Sequence, residues 1–560
     1  MKSLRFSVVM FAIPFLLCAN AFAERRALRV PADRKTIQAA IDASAAGDTV
    51  LVAPGTYTER LRLKAGVTLK SDGDDAKGKL GLKRAEVTIL DGGGDAGTEP
   101  GVDMAARSTL DGFTVTNVGR YDDAKWKKHY ATQGEQQSHE HIGAPGVAGI
   151  GIVGVSCTVR NNIVHHIGYS GIGISGVKGK RCSPLVTHNV CYRNMGGGIG
   201  SMKSSTAIIR SNICFENFYA GIGHDDGSPL VVDNICYGNI RAGIGISEGS
   251  KPIVRGNKCY KNRRAGIGTR TGAETRPLIE NNECYENDMA GIGTREEAAP
   301  LIRNNKCYKN KLAGIGSRTG AHPTIIGNEC YENGKAGIGQ RDDAHTTLIG
   351  NYCHHNKTSG IGFAACKAGQ ATVVNNRVID NAMVAVGINP GWTVTLSGNE
   401  LSRKGGLPPI VMVFKGSTAT FTGNIIRGGG VAGIRVAGNV RADDNRFEGT
   451  SLRRGGPPNF AIWALKGSTV SMSDNQITTW RHALSAGEAN VTAINNTVRL
   501  FHAAAFVVNK SPSPPQFIGN TAFSNDAKSK VVSMDGLAGI NIDNELKPAR
   551  TQKSSSAIEK

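Results

Sequence analysis

Aromatic side chains make up only 6% of this 560-residue chain, and no stretch shows the 3.6-residue apolar period of an amphipathic helical repeat. Together with 72 glycines, that scarcity argues for a turn-rich β architecture over a helical one. Long apolar runs are scarce too. The one candidate, Val8 to Leu17, follows Lys2 and Arg5 and precedes Ala21-Phe22-Ala23. It reads as a secretory signal peptide over residues 1–23, too short and wrongly flanked for a membrane span. Leu17 is too large to precede Cys18 in a lipoprotein processing signal, which leaves cleavage after Ala23. No other run approaches bilayer length, so no transmembrane segment is expected, and the mature protein is placed in the periplasm or outside the cell.

Acidic residues are outnumbered, 46 Asp+Glu against 66 Lys+Arg. Two of the basic residues lie in the signal segment, so the mature chain keeps 64 and a formal charge of +18. Such an excess serves solubility or an acidic partner. For an exported chain that partner is an anionic polysaccharide or envelope component, and no nucleic acid is expected.

What the chain has in abundance is repetition. Asn305 to Arg318 reads NKCYKNKLAGIGSR, and Asn328 to Arg341 reads NECYENGKAGIGQR. A cysteine column runs through Cys191, Cys214, Cys236, Cys259, Cys284, Cys307, Cys330 and Cys353, at steps of 22, 23 or 25 residues. An asparagine stands two residues before each cysteine, from Asn189 to Asn351, and another three residues after, from Asn194 to Asn356. Gly-Ile-Gly follows in every unit. Outside residues 187–363 the pattern fades, and Val164, Val378, Leu401, Ile426, Phe447, Ile477 or Val498 takes the cysteine's place. That replacement set makes the position apolar.

A unit this short cannot bury its own core, but stacked units bury it jointly. Three short strands per unit, separated by Asn and Gly turns, fit a parallel β-helix whose coils lie about 4.8 Å apart. The expected fold is all-β: a single right-handed parallel β-helix over residues 24–546, with a loop insertion at 119–146 and a disordered tail at 547–560. A short helix, Thr36 to Ile41, would cap the first coil. The segment TIQAAIDASAAGDTVLVAPGTYTERLRLKAGVTLKS resembles the entry segment of right-handed β-helix proteins of the pectate-lyase-like superfamily. The N-x-[CVIL]-x-x-N…GIG coils are similar to those of polysaccharide lyases, mannuronan epimerases and the periplasmic accessory protein of nitrous-oxide reductase.

Each ladder has its own chemistry. Three readings of the thiol column stand: packing as small hydrophobes, disulfides in an oxidising compartment, or a soft site for monovalent copper. The stacked asparagine amides satisfy one another along the axis, and the Gly-Ile-Gly glycines permit close coil approach or positive φ. Tyr192, Phe215, Tyr237, Tyr260, Tyr285, Tyr308, Tyr331 and His354 face outward, as a structural stack or a grip for sugar rings. Lys258, Glu283, Lys306 and Glu329 alternate beside them, as do Lys261, Glu286, Lys309 and Glu332, so that face neutralises itself.

Arginine departs from that logic. Arg270, Arg295, Arg318 and Arg341 occupy one position in four consecutive coils. Glu296-Glu297 and Asp342-Asp343 can pair two of them, whereas Thr271 and Thr319 follow the others and cannot. The row suits either a locally paired surface or an extended polyanion. His224-Asp225-Asp226 takes the corresponding place in an earlier coil. The lyase and epimerase resemblance implies a base at the sugar ring and a cation at the uronate carboxylate. His224 would be that base, arginine or calcium that cation, and Asp225 or Asp226 a calcium ligand. Within the insertion, His139 and His141, with His165 and His166 on the next coil, are candidate metal ligands, and the loop could equally be a flap. Three functions remain open: an acidic-polysaccharide binder with or without lyase or epimerase activity, a non-catalytic envelope or adhesive scaffold, and a copper-handling accessory protein.

Overall fold

The computed structural model describes residues 26–549 apart from 76–77, 133–145, 453–454 and 535. The segment read as a signal peptide, most of the C-terminal tail, and His139 and His141 lie outside the described residues. Each coil supplies three short strands, for example Leu278–Glu280, Glu283–Tyr285 and Ile292–Thr294. Each pairs in parallel with its counterpart one coil on: Leu278 with Leu301, Cys284 with Cys307, Ile292 with Ile315. The result is a right-handed solenoid of three parallel sheets. The first contains 21 strands; the other two are named here the cysteine sheet and the glycine sheet.

Period-2 alternation sorts the side chains. In Glu283–Tyr285 only the central cysteine is buried, because successive residues of a strand face opposite sides. All eight cysteines of the column are inaccessible, as are Val164, Val378, Leu401, Ile426 and Phe447, which continue it in register. The eight thiols are free. Burial without a counter-charge pushes Cys214, Cys259 and Cys307 well above the ordinary thiol range.

In the regular coils two corners turn by the same device: one residue in the left-handed region, then an inward asparagine. Asn281 (φ 55°) precedes Asn282, and Glu286 (φ 54°) precedes Asn287. The asparagine repays that strain. Asn257 Nδ2 donates to Asn282 Oδ1 at 2.9 Å and to the Val231 carbonyl at 3.0 Å. The Asn257 backbone N–H donates to the same Oδ1 at 2.9 Å. This ladder continues coil by coil from Asn162 to Asn544, and a second runs from Asn194 to Asn381. The coil's buried corner groups are thereby satisfied.

Helices are short. α1 (Ile37–Ala43) starts at Thr36, whose hydroxyl accepts the Ala39 N–H at 3.2 Å, and packs on the first strands. α2 (Lys83–Val87) and α3 (Asp123–Tyr130) are insertions between coils. The last strand, Glu545–Lys547, reaches one residue into the segment read as a tail. No helix among the described residues is long and apolar enough to cross a membrane.

Candidate functional site

On the outer face of the glycine sheet, positive charge accumulates along several coils. Its floor is made of very small residues. A Cβ on the first glycine of a Gly-Ile-Gly would collide with the interior: at Gly266 it would lie 2.7 Å from the Gly291 carbonyl and 3.1 Å from Cys284 Cβ. Close approach, rather than positive φ, dictates that glycine. The second glycine faces outward with room to spare, and at Gly268 and Gly316 the nearest neighbours are the Ala242 and Ala290 methyls, at 3.8 and 3.6 Å. Gly and Ala therefore pave a flat strip along the solenoid.

Arginines border that strip. Arg270, Arg295, Arg318 and Arg341 stand on one side, held in step because each backbone N–H donates to a carbonyl of the preceding coil at 3.0–3.1 Å. Arg241 and Arg264 enter from the opposite side, where the chain turns in from the cysteine sheet. Burial and the nearby cations Arg295, Arg241, Arg318 and Arg270 hold the Arg264 guanidinium down to about 10. Arg295 is likewise lowered by burial, which outweighs Glu296, and further by Arg270 and Arg318. Such mutual depression marks a concentration of positive charge. Arg295 pairs with Glu296 at 3.2 Å and Arg341 with Asp342 at 3.5 Å. Among the described residues Arg270 and Arg318 form no ion pair; Thr271 and Thr319 stand where the acids would be.

On the other two faces the stacked charges of these same coils are paired. On the first sheet Glu280 accepts from both Arg255 and Arg303 at 2.6 Å. On the cysteine sheet the rings from Tyr192 to His354 stack nearly parallel with centroids 4.9–5.1 Å apart. Lys258–Glu283, Lys261–Glu286, Lys306–Glu329 and Lys309–Glu332 pair across coils at 3.6–3.8 Å.

His224-Asp225-Asp226 does not form a unit. Ile222 points inward, so the pleat turns Gly223 out and His224 in. The ring is 3% exposed, and both its nitrogens lack a hydrogen-bond partner. Burial lowers its pKa to about 3. A ring enclosed in the solenoid cannot reach a sugar on the outside. Asp225 and Asp226 are exposed; burial and the neighbouring Glu248 and Asp226 raise the Asp225 carboxyl, while Arg270 opposes them. Asp225 thus lies at the end of the arginine row.

His165 and His166 are on one coil, their Nδ1 atoms 2.7 Å apart. Burial lowers His165 to about 4, and Tyr121 packs edge-on against His166 at 4.6 Å. Among the described residues no group of three or more His, Cys, Asp or Glu side chains is arranged to hold a metal ion, the thiol column included.

The described part of the insertion contains α3. α3 buries Trp126 against Met195, Phe218 and Ile240 at the corner entering the glycine sheet. Trp126 Nε1 donates to the Glu216 carbonyl at 2.8 Å, and Arg193 and Arg263 lie over the Trp126 and Tyr130 rings at 4.4 and 4.3 Å. Beside it Arg241 covers Tyr219 at 4.5 Å, so α3 adjoins one end of the arginine-bordered strip.

Right-handed coils, three in-register sheets and interior ladders define a class, and the family pattern described as right handed beta helix region matches residues 140–276, 271–401 and 384–545. The chain belongs to that family. No curated protein matches it significantly. Among solved structures, the A-module of the Azotobacter vinelandii mannuronan C-5 epimerase AlgE6 superposes with a TM-score of 0.42 at 18% identity, covering 64% of this chain and 92% of that one. The periplasmic alginate epimerase AlgG gives 0.40 at 12%, over 67% and 83%. The PL6 family alginate lyase AlyGC gives 0.24 at 10%, over 93% and 99%. Likeness at that level carries no argument about activity.

Proposed function

We propose that the protein is exported and binds an acidic polysaccharide along the outer face of the glycine sheet. The supporting observation is the arginine concentration over a Gly/Ala floor, in which Arg270 and Arg318 form no ion pair among the described residues, while the Lys/Glu ladders of the cysteine sheet and Glu280 of the first sheet are paired. Guanidinium forks match carboxylate and sulfate oxygens, and a flat floor of small residues admits a sugar chain lying along the axis. Export rests on the N-terminal pattern of Lys2, Arg5 and the apolar run before Ala23.

If uronate lyase or epimerase chemistry is carried out here, its proton acceptor is to be sought at Asp225, two coils before Arg270 in the same register, and not at His224. The decisive experiment is retention on immobilised polyuronate at rising salt. Wild type should be retained at low salt and released as salt screens the contact, and the Arg270→Gln/Arg318→Gln double variant should elute markedly earlier. Absence of low-salt retention refutes the reading. Incubation with soluble polyuronate, followed by absorbance of unsaturated ends, tests cleavage separately.

A further inference from the structure

The arginine row has a period that differs from that of the fold. The four guanidinium positions recur once per coil, but their neutralisation alternates. The residue after each arginine adopts the left-handed conformation in all four coils: Thr271 (φ 70°), Glu296 (φ 56°), Thr319 (φ 54°) and Asp342 (φ 53°). The backbone is therefore the same, and only the side chain changes: neutral, acidic, neutral, acidic. The acids pair with their own arginines, Glu296 with Arg295 and Asp342 with Arg341. Arginines without an ion partner thus recur at every second coil, two strand spacings or about 9.6 Å apart.

A ligand fits this arrangement when its anionic groups on one side repeat at the same interval. Densely charged polymers, such as polyphosphate or a heavily sulfated glycan, place charges more closely and would meet Glu296 and Asp342 as well as the arginines. A 1,4-linked polyuronate with two-fold character behaves differently. Successive rings face opposite ways, so carboxylates on one side recur at every second sugar. From the alternation we infer that the face selects such a polyuronate, lying parallel to the solenoid axis, with carboxylates of sugars i and i+2 on Arg270 and Arg318. The Gly268–Gly316 floor passes beneath the intervening ring, whose own carboxylate points away. Glu296 and Asp342 act as specificity determinants that repel more closely spaced charge.

This inference rests on the polysaccharide-binding reading, and the test separates the two. Affinities are measured for uronate oligomers of two, three and four sugars, and for polyphosphate, with wild type, Arg270→Gln, Arg318→Gln and Glu296→Gln/Asp342→Gln proteins. Wild type should gain about tenfold in affinity between two and three sugars, when both arginines can first be engaged. That step should vanish in either arginine variant. The acid-less variant should keep the step and gain affinity for polyphosphate. Retained polyuronate binding without a length step, or polyphosphate binding unchanged by loss of the two acids, overturns the spacing inference and leaves the polysaccharide reading standing. Failure of every uronate oligomer and of the polymer to bind overturns both. Melting curves for each variant separate lost binding from lost fold.

Discussion

His224 is an ionisable ring sealed inside an apolar solenoid, beside Ile246 of the next coil in register. Its folded pKa, about 3, lies below the ordinary 6.5. The sign follows: the neutral ring's stability is fully present above pH 6.5 and is lost as the pH falls toward 3, because the unfolded chain binds the proton first. Replacing it by isoleucine, the residue its neighbour already uses, removes two buried nitrogens that have no partner. The His224→Ile variant should be more stable at neutral pH by about 1–2 kcal/mol, and its melting temperature should fall less between pH 6.5 and 4 than that of wild type. Parallel acid limbs in the two proteins would show that this ring does not titrate as placed.

At the scale of the coil, the two glycines of Gly-Ile-Gly have different duties that thermal melting can resolve. Gly266→Ala forces a methyl against the Gly291 carbonyl and Cys284 and should destabilise by about 1–3 kcal/mol. Gly268→Ala points into open space beside Ala242 and should stay within about 0.5 kcal/mol. Asn282→Ala removes the acceptor for both Asn257 donors and the donor to the Val254 carbonyl. It should cost about 3 kcal/mol or more, since several buried groups lose partners at once. The ladders were legible in the sequence because a 23-residue step becomes an in-register row once coils stack, and every apolar substitute for cysteine marked the interior. The corner conformation was not legible, because His166, Glu216, Lys261 and Asp380, which share the left-handed position, have little side-chain chemistry in common. The candidate site was read in part. The row from Arg270 to Arg341, and which two of its members lack an acid, followed from the residue after each arginine. Arg241 and Arg264 were not legible because their corner position carries Met289, Leu312 and Lys335 in the coils that follow, so no arginine repeat marks it. Of the His224-Asp225-Asp226 cluster, Asp225 takes the register of Arg270, whereas His224 aligns with the inward Thr269, and in a strand one residue reverses the face.

Across the whole molecule, three outer faces solve the same electrostatic problem in different ways. Stacking places identical side chains about 4.8 Å apart, so any ladder of like charge must be neutralised. The first sheet does so with Glu280 between two arginines and the cysteine sheet with alternating Lys and Glu; the glycine sheet does so only at alternate coils. Arginine modification by phenylglyoxal, read residue by residue by mass spectrometry with and without a polyuronate, tests this partition directly. Arg270 and Arg318 should be strongly protected by the polymer, while Arg255 and Arg303 on the first sheet should react equally in both samples. Uniform protection over all faces, or none at Arg270 and Arg318, would contradict the assignment of the glycine sheet as the polysaccharide-binding face.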